Sequence, residues 1–388
     1  MAFTGFHHGT RLEESAETPV LVRTADSSVI GLVGTAPDAD ETDFPANTPV
    51  LLPGDATLAQ SLGATGTLFD AIEAIFDQGA TNVVVVRVEE GADTAETISA
   101  IVGTSIGGTG LHALKLAREL LGVQPRIIIA PGFTTADNTA VLAELPAILQ
   151  DLEAVALMDA PSAIATDAIA FRANIASERI KLLWPGTVRV WDTGTSLAVQ
   201  KPTSPYFAGV MAHVDRTRGF WVSESNKPIN GIMGADTPVG GIQADLLNEN
   251  EVATIVNHGA GYVTWGNRGC GAASLTAFFS VRRTMDFING AIRDAFLEFV
   301  DRPFSAANIR LMVASANSAL WNYKNEGAII GGKCWFDATR NDPTQMADGK
   351  ITLSIKFEPP APMEDIRFIA YRDIDYYLDL VREAAAAA

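Results

Sequence analysis

Asn82-Val83-Val84-Val85-Val86-Arg87-Val88 is the stretch on which the fold turns. Five valines in seven residues, with no polar alternation, fit a β-strand covered on both faces, because a strand with one wet face would alternate. Just before it, Leu68, Ile72, Ile75 and Phe76 fall on one face of a helix predicted over Thr67–Gln78, and Gly79 supplies a stop. Further upstream, Ser28-Val29-Ile30-Gly31-Leu32-Val33-Gly34 reads as a second short buried strand. A Pro/Asp-rich loop from Pro37 to Pro45 follows, and Val50-Leu51-Leu52 leads into a turn at Pro53-Gly54. Downstream the alternation repeats. Helices are predicted over Thr94–Val102, Leu111–Leu121, Asn138–Leu152 and Ala163–Ile175, and strands over Arg126–Ala130, Ala154–Met158 and Arg179–Trp184. Buried aliphatic strands alternating with amphipathic helices predict an α/β domain over residues ~23–260, a mostly parallel sheet with helices flanking both faces.

The pattern changes after about residue 265. A long helix is predicted over Ser280–Val300, with Val281, Ile288, Ile292, Phe296 and Phe299 as its apolar face, and a second from about Ala306 to Asn325. Lys350–Glu358 alternates strictly: Ile351, Leu353, Ile355 and Phe357 take one face, and Thr352, Ser354, Lys356 and Glu358 the other. Pro359-Pro360-Ala361-Pro362 is a stiff spacer beyond it. Past the spacer, Ile366–Tyr371 is a short strand candidate and Asp375–Glu383 a terminal helix. A strand at the extreme terminus, beyond a proline hinge, has no obvious sheet of its own. It either folds back onto its own domain or adds to the sheet of a neighbouring subunit, where backbone hydrogen bonds supply affinity and alternate side chains the register.

The 388 residues carry 28 Lys+Arg against 46 Asp+Glu, a net charge of −18, and 47% are hydrophobic. That composition is globular and too apolar for disorder. A pI near 4.6 argues against a surface built to neutralise nucleic-acid phosphates. No apolar run approaches the ~18 residues of a membrane span, and Met1–His8 has no basic and apolar secretion signature, so a soluble protein made in a cytoplasm is expected. Residues 265–388 hold 14 Lys/Arg and 15 Asp/Glu, net −1, leaving −17 on residues 1–264. The acidic part is either simply a solvated surface, or it faces water while the last third faces a partner.

Motifs for catalysis are sparse. Gly103–Gly110 follows a predicted helix and lacks Gly-Lys-Ser/Thr, so it supports neither a dinucleotide fingerprint nor a P-loop. His7 and His8 are adjacent rather than at ligand spacing, and His112, His213 and His258 are isolated. Cys270 and Cys334 are expected to be reduced and buried. There is no Gly-x-Ser-x-Gly elbow. Asp159, after the Ala154–Met158 strand, stands where an α/β sheet could place a catalytic acid, and only it and the sheet architecture keep a soluble α/β hydrolase in play. No cofactor or metal is expected.

Several stretches taken in order carry a resemblance. They are His7-His8-Gly9, Thr48–Leu52, Gly66-Thr67-Leu68, Val83–Val88, Thr109-Gly110-Leu111, Pro125-Arg126-Ile127 with Pro131-Gly132, and Trp184-Pro185. Asp245–Glu249 through Gly261-Tyr262, Trp265-Gly266-Asn267-Arg268 and Cys270 are the most specific, and Gly331, Cys334-Trp335-Phe336 and Gly349–Pro360 complete the set. Together they resemble the tail sheath protein of contractile-tailed bacteriophages, in the short form shared with contractile bacteriocins. The resemblance implies an N-terminal arm (1–22), an outer α/β domain (23–262) of subtilisin-like, non-catalytic arrangement, a smaller inner α+β domain (263–363) against the tail tube, and a C-terminal arm (364–388). It implies stacked hexameric rings, with tail tube, baseplate and tail terminator proteins as partners, in a virion tail assembled in the host cytoplasm. No direct nucleic-acid contact and no stable membrane association are expected. On this reading Ile366, Arg367, Phe368, Ile369, Ala370 and Tyr371 form the strand added to a neighbour, and Ile351, Leu353, Ile355 and Phe357 mark the receiving strand. Hinges near Pro19 and Pro359–Pro362 would absorb movement. Arg282, Arg283 and Arg293 either touch the tube or pair with Asp286 and Asp294 along a solvated helix. A headless bacteriocin sheath remains an alternative, and the Ala384–Ala388 tail matches no pattern of the family.

Overall fold

The computed structural model describes residues 26–54, 56–134, 139–161, 163–271 and 275–387; the proposed N-terminal arm, with His7, His8 and Pro19, lies outside the described residues. Strands run in chain order as β1 (Ile30–Thr35), β2 (Pro49–Pro53), β3 (Asn82–Val88), β4 (Ile127–Ile129), β5 (Val155–Asp159), β6 (Ile180–Leu183), β7 (Thr187–Asp192), β8 (Leu197–Pro202), β9 (Gly234–Ala235), β10 (Val252–Asn257), β11 (Tyr262–Trp265), β12 (Gly331–Phe336) and β13 (Leu353–Glu358). The main sheet has eight strands in the order β11-β10-β6-β5-β4-β1-β3-β2. Its neighbours from β10 to β3 pair parallel, and β11 and β2 close the two edges antiparallel.

The valine run behaves as a doubly covered strand. Val83 and Val85 face a core that includes Leu68, Ile72 and Ile75 of the Leu68–Phe76 helix and Phe207 and Met211 of the Ser204–Arg218 helix. Val84, Val86 and Val88 face the opposite core, with Leu111, Leu145, Ile148 and Leu149. Period-two alternation puts successive valines on opposite faces, and helices cover both.

The predicted Leu111–Leu121 helix is instead a 3₁₀ segment, Gly110–Leu116, followed by a short α-helix, Ala117–Leu121. Residues 110–114 are all buried, so this piece has no wet face to give it helical periodicity. Gly110 sits at φ 57°, donates its N–H to Asn47 Oδ1 at 2.8 Å, and would place a Cβ 2.4 Å from the Ile101 carbonyl oxygen. The main sheet also extends past residue 262, because β11 pairs with β10. Sequence periodicity did not reveal the small antiparallel sheet β8-β7-β9.

Past the main sheet, helices Phe279–Phe296 and Ala306–Glu326 and the β12–β13 ribbon enclose a third core. It holds Phe287, Ile288, Ile292, Leu320, Tyr323 and Cys334, joined by Phe220 from the α/β body.

Two buried polar arrangements hold the body together. Lys181 on β6 is fully buried, ion-paired with Glu224, donates to the Gly266 carbonyl at 3.1 Å, and lies 4.6 Å from the Phe279 ring centroid. Asp159, the candidate catalytic acid, is buried at the end of β5 and accepts from Ser204 N at 2.7 Å and Ser204 Oγ at 2.6 Å. It thus anchors the start of the Ser204–Arg218 helix, where a carboxylate complements the exposed N–H groups and the dipole. The position that could have held a catalytic acid is thus a helix anchor.

Removing one partner of the Lys181–Glu224 pair strands the other charge. Lys181→Met should cost about 3–5 kcal/mol, and adding Glu224→Leu should recover most of it; urea unfolding of the three proteins checks this. Burial, opposed by the Ser204 hydrogen bonds, pushes the Asp159 carboxyl from 3.8 up to about 7. The folded state then holds this proton more tightly than the unfolded state, so stability falls as pH rises between those values. The stability advantage of the wild type over Asp159→Asn should accordingly shrink from pH 5 to pH 8 in urea melts. A constant or growing advantage would contradict it.

Candidate inter-subunit site

β12 and β13 form a two-stranded antiparallel ribbon in the register Gly331↔Glu358 to Phe336↔Leu353. Such a ribbon is marginal by itself and is stabilised here by packing on the Ala306–Glu326 helix. Asn317 on that helix accepts from Cys334 N and donates to Cys334 O, both at 2.8 Å. The side chains of Leu353, Ile355 and Phe357 pack against the third core, and Ile351 lies half-buried just before the strand. Alternation in Lys350–Glu358 thus reflects packing within the subunit. Among the described residues β13 pairs with β12 alone, which leaves its outer backbone edge open.

The chain then crosses Pro359–Pro362 and meets the body once more, at Arg268. The Arg268 guanidinium donates through Nε to Glu364 Oε1 at 2.9 Å and through Nη2 to Oε2 at 2.6 Å. Beyond Glu364 the arm runs free. Ile366–Tyr371 pairs as a strand with none of the described residues, and its apolar side chains are exposed, with Phe368 at 89% and Tyr371 at 86%. The Tyr376–Ala386 helix buries no residue, and Tyr376, Tyr377, Leu378, Leu380 and Val381 are all exposed. An eleven-residue helix without packing is marginal in water, and so large an apolar exposure marks an interaction surface.

The three arginines proposed for tube contact do not form a free basic surface. Arg283 is buried and donates through Nη1 to Asp215 Oδ1 at 3.0 Å. Arg282 pairs with Asp286 and with Glu178, the latter at 2.9 Å, and Arg179 shares Asp286 at 2.9 Å. Arg293, at 52% side-chain exposure, bonds Glu153 at 3.2 Å and approaches Asp294 at 3.8 Å. The expected pairing with Asp286 and Asp294 is present for Arg282 and Arg293. Asp215 on the distant Ser204–Arg218 helix, the partner of Arg283, was invisible to local spacing. As corrections, Arg282 and Arg283 are committed to the subunit interior, because burying an arginine requires a carboxylate partner.

Nothing in the remaining candidates assembles a reaction centre. Gly103–Gly110 is a turn between the Thr94–Val102 helix and the 3₁₀ segment. Cys270 and Cys334 are both free and buried, and burial pushes the Cys270 thiol up to about 11, away from the reactive thiolate. Among the described residues no cluster of His, Cys, Asp or Glu could hold a metal ion, and no helix is long and apolar enough to cross a membrane.

Comparison with known proteins agrees along the chain. Residues 27–88 match the tail sheath protein Gp18 domain III N-terminal region, residues 107–270 the phage tail sheath protein central domain, and residues 273–371 the phage tail sheath C-terminal domain. The tail sheath protein of Escherichia phage P2 is 32% identical over 389 residues, covering 96% of this chain and 97% of the relative. The major tail sheath protein of Serratia phage KSP20 is 32% identical, covering 96% of each. The fold is shared with the contracted sheath complex of an extracellular contractile injection system, at TM-score 0.74 and 16% identity over 97% of this chain and 100% of that one. It is shared also with the contracted helical sheath of the anti-feeding prophage, at TM-score 0.72 and 20% identity over 94% and 99%. An α/β platform whose candidate acid is a helix anchor, ending in an exposed apolar arm, thus meets full-length sequence relatives of one kind: the chain belongs to the phage tail sheath protein family and is a non-enzymatic, structural subunit of a contractile tail sheath.

Proposed function

We propose that this subunit polymerises through its terminal arms into stacked six-membered rings around a tail tube, and that the polymer shortens from a metastable extended state to drive the tube through a host envelope. The observation that carries this reading is the C-terminal arm, whose apolar side chains from Ile366 to Val381 find no cover among the described residues. Residues 366–371 would lie against the open edge of β13 of a neighbour. Each backbone hydrogen bond gained there contributes about 1 kcal/mol net, and each Å² of apolar surface covered about 25 cal/mol. Contraction would exchange one packing of rigid bodies for another with more buried contact, so the work comes from the difference between two assemblies and needs no nucleotide. Pro359–Pro362 would take up the change of angle while the strand addition persists.

Within this reading the outer domain is a non-catalytic sheet platform of subtilisin-like layout. The inner domain is residues 263–363, and the N-terminal arm is residues 1–22. Tail tube, baseplate and tail terminator proteins would be the partners. Of the three arginines, Arg293 alone keeps an exposed side chain for tube contact. The sheaths of injection systems that share this fold support a second setting, a headless contractile particle, for the same mechanics.

Deleting residues 365–388 tests the arm assignment. The truncated protein should melt like the full chain and sediment as a monomer, while the full chain forms hollow striated tubes in negative-stain electron microscopy. Tubes built by the truncated protein would overturn it.

A further inference from the structure

The Trp265-Gly266-Asn267-Arg268 block has an internal half and an outward half. Its Gly266 carbonyl accepts from the buried Lys181, so the backbone here is fixed by the body's central ion pair. Arg268 points outward from that fixed backbone. Its guanidinium lies 4.9 Å from the centroid of the Phe278 ring, and the backbones of the same two residues form an antiparallel bridge. The arginine is therefore held on its own side of the contact before Glu364 arrives, and its fork faces the carboxylate with two parallel hydrogen bonds.

Among the described residues past Pro362, this is the one side-chain ion pair that ties the arm to the body; the others, such as Arg382–Asp379, stay within the arm. It lines a cleft together with Trp221, Lys227, Asp245, Glu249 and Glu251. Glu251 there is already paired with Arg172, and Arg268 is the cation that bonds Glu364, holding its carboxyl below the usual range. The pair lies two residues before Ile366, where the proposed added strand begins.

We infer that Arg268 is a positioning residue for assembly: by clamping Glu364 against the body it fixes the direction in which the C-terminal arm leaves, and so presents the strand 366–371 to a second copy of this chain. The inference rests on the arm reading above. Ordering a free chain costs about 1–2 kcal/mol per residue, and an arm already held at its root gives up less of that freedom on pairing. A bidentate pair at a half-exposed site is a modest clamp, so its loss tunes assembly and leaves the fold intact.

The test measures the critical concentration for tube formation, by sedimentation, in full-length Arg268→Ala, Glu364→Gln and the reversed pair Arg268→Glu/Glu364→Arg, beside the 365–388 deletion. Each single variant should raise the critical concentration by about two- to fivefold at an unchanged melting temperature, and the reversed pair should return it toward the wild-type value. Single variants that assemble like the wild type would overturn the clamp, as would a reversed pair no better than the single variants. If Arg268→Ala lowers the melting temperature, Glu364→Gln decides the matter, since its site is on the arm. Tubes from the deletion protein would overturn the arm reading itself, whereas a deletion that stays monomeric beside unaffected single variants would remove the clamp alone.

Discussion

Ion pairs across the Phe279–Phe296 helix bind the two parts of the subunit into one body, and the mechanics follow from that constraint. One side of the helix belongs to the third core, through Phe287, Ile288 and Ile292. The other side meets the α/β body through Arg282 with Glu178, Arg283 with Asp215, Asp286 with Arg179, and Arg293 with Glu153. Breaking any buried one of these strands a charge at a cost of several kcal/mol. A hinge between the two parts would have to break several together. On the proposed contraction, motion would therefore fall in the connections between subunits.

The treatment of sheet edges tells the same story. β2 carries Pro49 and Pro53 at its two ends, which block further pairing. At the opposite edge, Asn226–Ile229 lies over β11 with backbone hydrogen bonds of 2.6 to 3.0 Å. The large sheet is thus closed against chance association. The β12–β13 ribbon has no such cover, and the chain that leaves it bears the exposed apolar arm. An open edge and an uncovered strand-length segment in the same subunit suit head-to-tail addition, which builds rings or helical filaments.

Much of this was legible in the sequence. The valine run, its flanking helices and the repeat of that unit specify a parallel sheet because burial on both faces writes itself as continuous aliphatic strands. Strict alternation located β13, and the proline spacer with a strand-like terminus flagged the arm. Three things were not legible. Arg283 read as a tube contact or a solvated helix charge, and the buried pairing of Lys181 was not foreseen, since their partners Asp215 and Glu224 are 68 and 43 residues away and no local spacing joins them. Asp159 read only as a place where a catalytic acid could stand, because a sheet's strand end suits both an active site and a helix anchor; only Ser204, 45 residues on, decides between them. The Gly110–Leu116 segment, within the predicted Leu111–Leu121 helix, read as α-helix because a 3₁₀ stretch buried from 110 to 114 shows apolar residues without a helical stripe. In each case the deciding contact is tertiary.

The most direct measurement is hydrogen–deuterium exchange on the full-length protein, below and above the concentration at which tubes form. Amides of residues 366–371 and those of the outer edge of β13 should exchange rapidly in the monomer and become strongly protected together in tubes, while those of the central strands β4, β5 and β6 stay protected throughout. Protection of the arm already in the monomer, or an arm that still exchanges freely within tubes, would contradict an arm that joins one subunit to the next.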